Sequence, residues 1–397
     1  MRFFSLGIMA LIAGYTLSQF YRAFLAVLAS PLQAEIGASP EGLAVSSGLW
    51  FVAFAAAQLP VGWSLERFGP ARTVAVLLTI GGAGGAAVFA LASELWHIHL
   101  SMALLGVGCA PVLMASYYIF AREFPPAAFG ALAGAIVGIG SLGNILGAAP
   151  LVGLVGVIGW RATLWLAAGL TLVVALIVRF LVPDPPPLGS DVPKGSLRDL
   201  LAIPALWLIL PLFTVNYAAA AAIRGLWAAP YLEDVYIASA GTVGQATLVM
   251  GLAMIAGNFL VAPAVRLFGS TRRAIIVTMG ATVLALAVLA LAPRTSLWLA
   301  IVLLSVVGLS AMAFALLMAH GRMFLSPQLV ARGVTFFNML SIGGVGVMQF
   351  ASRPIYAWAA PGGPEFAFSV LYWFFAIPLA ITLAIYVFSP EGPDERR

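Results

Sequence analysis

The chain has 397 residues, 62% of them hydrophobic and only 8% charged, with 41 glycines and a formal net charge of +5. A water-soluble domain is nearer half apolar and a quarter charged, so that class is excluded. The alternating apolar and polar decamers of a membrane β-barrel are absent as well.

A hydrocarbon core about 30 Å thick takes roughly 20 apolar residues per helix, and runs of that kind follow one another along the whole chain. Twelve helices are predicted, over 5–31, 43–65, 73–93, 98–120, 128–155, 161–182, 204–231, 241–265, 274–292, 296–319, 333–358 and 366–389. The first begins "MRFFSLGIMALIAG" but stays apolar through Leu25-Ala26-Val27-Leu28. That is longer than the apolar region of a cleaved leader, so the segment is expected to remain as helix 1. The lone cysteine, Cys109, falls in the fourth span, so no intrachain disulfide can form.

With an even number of spans both ends face one side. If that side is the cytoplasm, Arg161, Arg294 and Arg353 lie on the outer side and Arg22 and Arg224 lie inside spans. The rest of the 19 Lys and Arg, including Arg2, Lys194, Arg396 and Arg397, face the cytoplasm. This is the positive-inside asymmetry, so the basic balance reports topology and implies no nucleic acid. The Ala- and Gly-rich composition points to a GC-rich bacterial genome. A multi-pass inner-membrane protein with both termini cytoplasmic is expected, a monomer whose partners are the lipid bilayer and a small-molecule substrate.

The stretch "VPDPPPLGSDVPKGSLRDL" at 182–200 cannot continue a helix and is expected to be a linker. It divides the chain into a six-helix bundle over 1–183, a linker over 184–200 and a second six-helix bundle over 201–397. The halves align at an offset near 200. Phe68-Gly69 matches Phe268-Gly269, with Arg72 and Arg272 three positions on. "SPLQAEIGAS" (30–39) is similar to "APYLEDVYIAS" (229–239), and "AREFPPAAFG" (121–130) falls opposite "GRMFLSPQLVARG" (321–333). Two parallel six-helix repeats form a secondary-transporter architecture, with substrate bound at the repeat interface near the midplane.

The loop after the second span, Gly62-x-x-x-Glu66-Arg67-x-Gly69-x-x-Arg72, resembles motif A of the major facilitator superfamily, roughly Gly-x-Leu-x-Asp-Arg-x-Gly-Arg-Arg. Glu66 stands where Asp is usual, and Pro70-Ala71 occupies places often basic. The resemblance covers the whole chain and includes a weaker copy after span 8. It implies an all-α fold of 12 transmembrane helices in two pseudo-symmetric bundles, working by rocker-switch alternating access. It also implies that Gly62, Glu66, Arg67, Gly69 and Arg72 form a conformational latch on the outward-open state. The alternative is a basic loop that merely fixes topology.

A charge at mid-span costs roughly 2.5–3.5 kcal/mol on insertion scales. Arg22 in "SQFYRAF" and Arg224 in "AAIRGLW" incur it, on spans 1 and 7, which are repeat equivalents. The resemblance implies that spans 1, 4, 7 and 10 line the solute cavity. Two guanidinium forks there would suit a carboxylate, phosphate or sulfonate. The bland reading is that each arginine snorkels outward or holds a helix-end carbonyl. Further candidates for substrate contact are Gln19 and Tyr21 with Tyr15 on span 1, Tyr117 and Tyr118 on span 4, Asn216 and Tyr217 on span 7, Asn338 on span 11, and Trp227. Interhelical hydrogen bonding is the competing role for each.

All 14 Asp and Glu fall in loops or at span ends. The family's helix 4 often carries a coupling arginine four residues before a glycine, where this chain has Met102 before Gly106. Uniport, anion exchange or coupling through the solute's own charge is therefore expected. The Gly-Pro pair of drug antiporters is absent from span 5. "GIGSLG" (138–143) matches a dinucleotide pattern but lies in an apolar span, where its glycines suit close helix packing. Met250-x-x-x-Met254 sets two thioethers on one face, a soft pair suited to Cu(I). With Cys109 and Met114, that pair resembles the copper importers that serve cytochrome oxidase assembly, a branch related to riboflavin importers. The second motif of that branch is broken here, with Met279 and Val283 at its spacing. No cofactor is expected. No nucleophile–base pair or carboxylate cluster lies at membrane depth, so an enzyme is not expected either.

Overall fold

The computed structural model describes residues 6–185, 196–294 and 296–392. Regular structure among them is entirely helical. In chain order the helices are α1 (Leu6–Ala23), α2 (Leu25–Ile36), α3 (Pro40–Phe68), α4 (Pro70–Ala90), α5 (Leu95–Glu123), α6 (Pro126–Gly140), α7 (Leu142–Leu146) and α8 (Ala149–Leu181). Then follow α9 (Leu197–Leu201), α10 (Pro204–Tyr236), α11 (Ala240–Phe259), α12 (Val261–Phe268), α13 (Thr271–Leu291), α14 (Leu297–Arg322), α15 (Val330–Ala359) and α16 (Pro364–Tyr386). Among the described residues, 11 helices are long and apolar enough to cross a membrane, and 12 if α1 and α2 count as one bent span. Most of the expected linker, and with it Lys194, lies outside the described residues, as do Arg2, Arg396 and Arg397.

The chain separates into two compact units. Unit 1 comprises Met1–Leu132, Ile139–Leu197 and Ser326–Met339, and unit 2 comprises Ala133–Gly138, Arg198–Leu325 and Leu340–Arg397. Short pieces of α6 and α15 thus cluster with the other half of the sequence.

Several spans differ from the sequence expectation. The first is broken: α1 and α2 meet at 48° between Ala23 and Leu25, and the helix runs on to Ile36. No glycine or proline marks the break, which sits where buried Phe24 packs on Tyr21 and Phe89. The expected break between the fifth and sixth spans falls inside α8 as a kink at Gly159, whose φ of +78° is one that glycine adopts without strain. The third span, α4, and the seventh, α10, contain π-helical stretches, at Leu78–Ala83 and Ile223–Trp227.

The repeat appears in the capping chemistry. Gly37 (φ +65°) ends α2 and Ile237 (φ +54°) ends α10, both in the left-handed region. Two residues on, Ser39 and Ser239 accept hydrogen bonds from the backbone amides of Gly42 and Thr242 and cap the next helix. Gly69 and Gly269 likewise have φ of +86° and +81°. The interior is mainly apolar, but the surface differs from that of a soluble protein. Leu166, Leu170 and Val173, at helical spacing on α8, are each at least half exposed, while Gln58, Ser101, Ser116 and Thr171 are buried. Lipid on the outside accounts for both.

A β-branched residue in the left-handed region is costly, so Ile237→Gly should stabilise the protein by about 1 kcal/mol. Gly37→Ile should destabilise it similarly, since a Cβ at Gly37 meets nothing within 4 Å and only the backbone term changes. Thermal unfolding of the purified variants in detergent checks both signs.

Candidate functional site

Arg22 sits in the last turn of α1, at the break with α2. Its guanidinium carbon lies 4.9 Å from the Trp50 ring centre and 5.5 Å from that of Phe51, both on α3. Its Nε is buried without a hydrogen-bond partner. Gln19, three residues back and on the same face, is 3% exposed, and its Oε1 is also unpartnered. Tyr21 belongs to a different face: its hydroxyl is 2.8 Å from that of Thr171, which gives it a packing role. The ring of Tyr15 lies where a side chain on Gly140 would fall. On α5, Tyr117 is buried beside Phe129, and the Tyr118 hydroxyl accepts a hydrogen bond from Arg122 at 3.0 Å. Asn338 is 1% exposed, and its Nδ2 lacks a partner.

In unit 2, Arg224 occupies the π-helical turn of α10 and is exposed. Such turns insert one residue into a helix and are frequent at functional sites. Its guanidinium lies over Gly251 of α11, at 3.1 Å from where a Cβ there would stand. Asn216 donates to the Phe213 carbonyl at 2.8 Å and to Ser341 at 3.3 Å, which leaves its Oδ1 unpartnered. Tyr217 is partly exposed near Phe314, and the Trp227 indole donates to Ser352 at 3.0 Å. Among the described residues, neither Arg22 nor Arg224 has an ion-pair partner.

The motif after the second span has a specific partner. Glu66 accepts from Arg332 of α15 at 2.9 Å, with side-chain exposures of 17% and 23%. One turn earlier, a Cβ on Gly62 would strike Thr335 and reach the Cα of Arg332 at 3.4 Å. Gly62 is therefore the point of close approach between α3 and α15 within unit 1. Arg67 lies 5.3 Å from the Trp63 ring, and Arg72 is exposed. Beyond Gly69, the Asp184 carboxylate accepts from the Ala71 amide at 2.7 Å, at the start of α4. An acid at a helix N-terminus is stabilising there. Sequence reasoning found Glu66 but neither Arg332 nor Asp184.

The methionines and histidines have the following surroundings. Met250 and Met254 lie against Gly308 of α14, with their Cγ atoms 3.1 and 3.4 Å from where a Cβ on Gly308 would stand. The described residues contain no cluster of three or more His, Cys, Asp or Glu able to hold a metal ion. His99 bonds Ser46, and His320 bonds Tyr386 and the Pro390 carbonyl. The glycines of "GIGSLG" lie within helices; Gly143 approaches the Thr16 carbonyl of α1 and Gly138 approaches Phe259.

Comparison with known proteins adds to this geometry. The family model of the Major Facilitator Superfamily matches residues 11–348. Over 195 residues the chain is 25% identical to a Cupriavidus necator protein named "Probable sulfoacetate transporter SauU". That match takes in 49% of this chain and 45% of the relative, so it spans about half the relative's length. The E. coli fucose:proton symporter FucP superposes with a TM-score of 0.73 at 14% identity, covering 97% of this chain and 99% of that one. The human organic anion transporter MFSD10 (TETRAN) superposes with a TM-score of 0.70 at 17% identity, covering 95% and 99%. Identities this low bear on fold alone. With the family model spanning most of the chain, the protein belongs to the Major Facilitator Superfamily, a family of membrane transporters and not of enzymes.

Proposed function

We propose that the protein is a secondary transporter of a small organic anion, moved across a bacterial inner membrane by alternating access. The observation that carries this reading is that Arg22 and Arg224, each within a candidate membrane span, have no acidic partner among the described residues. An unpaired charge there is costly unless it has a use, and both stand at a helix irregularity, a break and a π-turn. A cation without a counter-ion supplies what a carboxylate or sulfonate needs. The Cupriavidus necator relative is named for a sulfoacetate, which carries both groups. Gln19, Asn216, Tyr217 and Asn338 are the polar residues proposed to complete solute contact, since each is partly exposed or has an unsatisfied atom.

The Glu66–Arg332 pair is the proposed latch. Gly62 lets α3 and α15 meet, and the ion pair one turn on fastens them until the helices part during transport. Copper import gains nothing from the positions of Met250 and Met254, which fill space around Gly308.

Arg22→Gln and Arg224→Gln should each weaken binding of a transported anion by about tenfold or more, the scale of one charge-assisted hydrogen bond. The check is ligand-induced thermal stabilisation of purified protein, with sulfoacetate, acetate and phosphate esters as probes. Stabilisation that survives in the double variant would overturn the anion reading. For the latch, Glu66→Gln should cut transport in proteoliposomes by about tenfold, the effect of roughly 1.4 kcal/mol. The exchange Glu66→Arg with Arg332→Glu should recover part of it. A double exchange no better than the single variants would refute the pairing as the functional element.

A further inference from the structure

Trp50 lies on α3, 1% exposed, and its ring is stacked on Phe54 at 4.9 Å with an interplanar angle of 17°. Phe51 meets it edge-on at 5.1 Å. The indole is thus held on two sides, yet its Nε1 is buried without a hydrogen-bond partner. Against the same ring stands the Arg22 guanidinium, whose Nε is buried and unpartnered too. Indole N–H and guanidinium are donors with no acceptor capacity, so neither can satisfy the other. Two buried orphan donors from two helices meet in one cation–aromatic contact. Buried polar groups are almost always bonded, and exceptions call for an explanation such as a bound ion or water.

We infer that Trp50 is a direct ligand contact beside Arg22, and that the two together select a tetrahedral sulfonate head group over a carboxylate. This rests on the reading of the protein as an anion transporter and adds to it a residue and a head-group geometry. With Trp50 and Phe51 packed against the guanidinium, its edge offers a planar fork of N–H groups. A carboxylate on that fork has both oxygens in the guanidinium plane and leaves no third oxygen for a donor displaced from it. The Trp50 N–H belongs to a ring centred 4.9 Å from the guanidinium carbon. A sulfonate places two oxygens on the fork and directs the third out of the plane toward the indole. Both head groups carry one negative charge at neutral pH, and the sulfonate is the weaker base. Lower desolvation cost also favours the weaker base, so the part of the preference that is lost with the Trp50 N–H is the part that comes from the extra oxygen.

The test uses the full chain purified in detergent, with ethanesulfonate and propionate as matched probes, at fixed pH and ionic strength. Calorimetric affinities should favour ethanesulfonate by about five- to tenfold in the unaltered protein, the worth of one added hydrogen bond. Trp50→Phe keeps an aromatic ring beside Phe54 and Arg22 while deleting the N–H. It should remove most of the preference and leave propionate affinity within about twofold. Arg22→Gln should weaken both anions by about tenfold or more. Equal affinities in the unaltered protein, or a preference that survives Trp50→Phe undiminished, would overturn the Trp50 contact. The anion reading would still stand as long as Arg22→Gln weakened binding to that extent. Failure of either anion to bind the unaltered protein would remove both proposals. The first comparison needs no variant, so misfolding of Trp50→Phe cannot rescue the inference.

Discussion

Hydrocarbon offers no hydrogen bonds, and most of this structure follows from that constraint. Backbone groups must be satisfied inside the chain, which leaves helices as the spanning element. Side chains obey the same rule. Ser116 bonds the Val112 carbonyl at 2.9 Å, and Thr278 and Thr282 bond carbonyls one turn back at 2.7 and 2.9 Å. Other buried side-chain atoms lack a partner within the chain, among them Gln58 Oε1, Asn258 Oδ1, Tyr372 OH and Ser389 Oγ as well as Arg22 Nε, Trp50 Nε1, Gln19 Oε1, Asn216 Oδ1 and Asn338 Nδ2. An orphaned atom is thus not by itself the mark of a solute site, and the proposed contact residues rest on their setting as well.

What was legible in the sequence was short in range. Apolar runs gave the spans, and Ser39 and Ser239, each just ahead of an apolar run, lie inside the segments whose likeness marked the repeat. The Phe-Gly pairs at 68–69 and 268–269 marked the repeat, and both glycines have positive φ in the structure. What was not legible depended on distant partners or on helix irregularity without a local mark. Arg332 is 266 residues from Glu66, and Asp184 is 113 residues from Ala71. The π-turn at Arg224 falls in a stretch of ordinary helix formers beside Gly225, and the break after Arg22 has neither glycine nor proline. The unsatisfied indole of Trp50 has no sequence signal at all, because any tryptophan in an apolar run looks like packing.

The motif around Gly62 acquires a mechanical meaning once its neighbours are known. Gly62 and Glu66 share a face of α3, and Arg332 and Thr335 share a face of α15. Glycine brings the two backbones close, and the carboxylate and guanidinium meet one turn further on. On the other side of Gly69, Asp184 holds the first turn of α4 by the Ala71 amide. The short link between α3 and α4 is thus tied at both ends, by an ion pair behind it and a capping carboxylate ahead of it. Movement of α3 at this end must strain or break one of the two.

The second repeat keeps part of this arrangement and discards the rest. After the last helix of each half the chain carries proline followed by an acid, Pro183-Asp184 and Pro390-Glu391. Asp184 returns to the turn that opens α4, and Glu391 returns to Arg273 in the first turn of α13, at 3.8 Å. Arg272 adds a bond to the Val387 carbonyl, and His320 one to that of Pro390. The tether is therefore common to both halves. The ion pair is not: at the offset of 200, Arg266 stands opposite Glu66 and Leu132 opposite Arg332. Charge at the Glu66 position is reversed and its partner is apolar, so the second repeat cannot form the pair. The Glu66–Arg332 pair therefore has no counterpart at the repeat-equivalent positions.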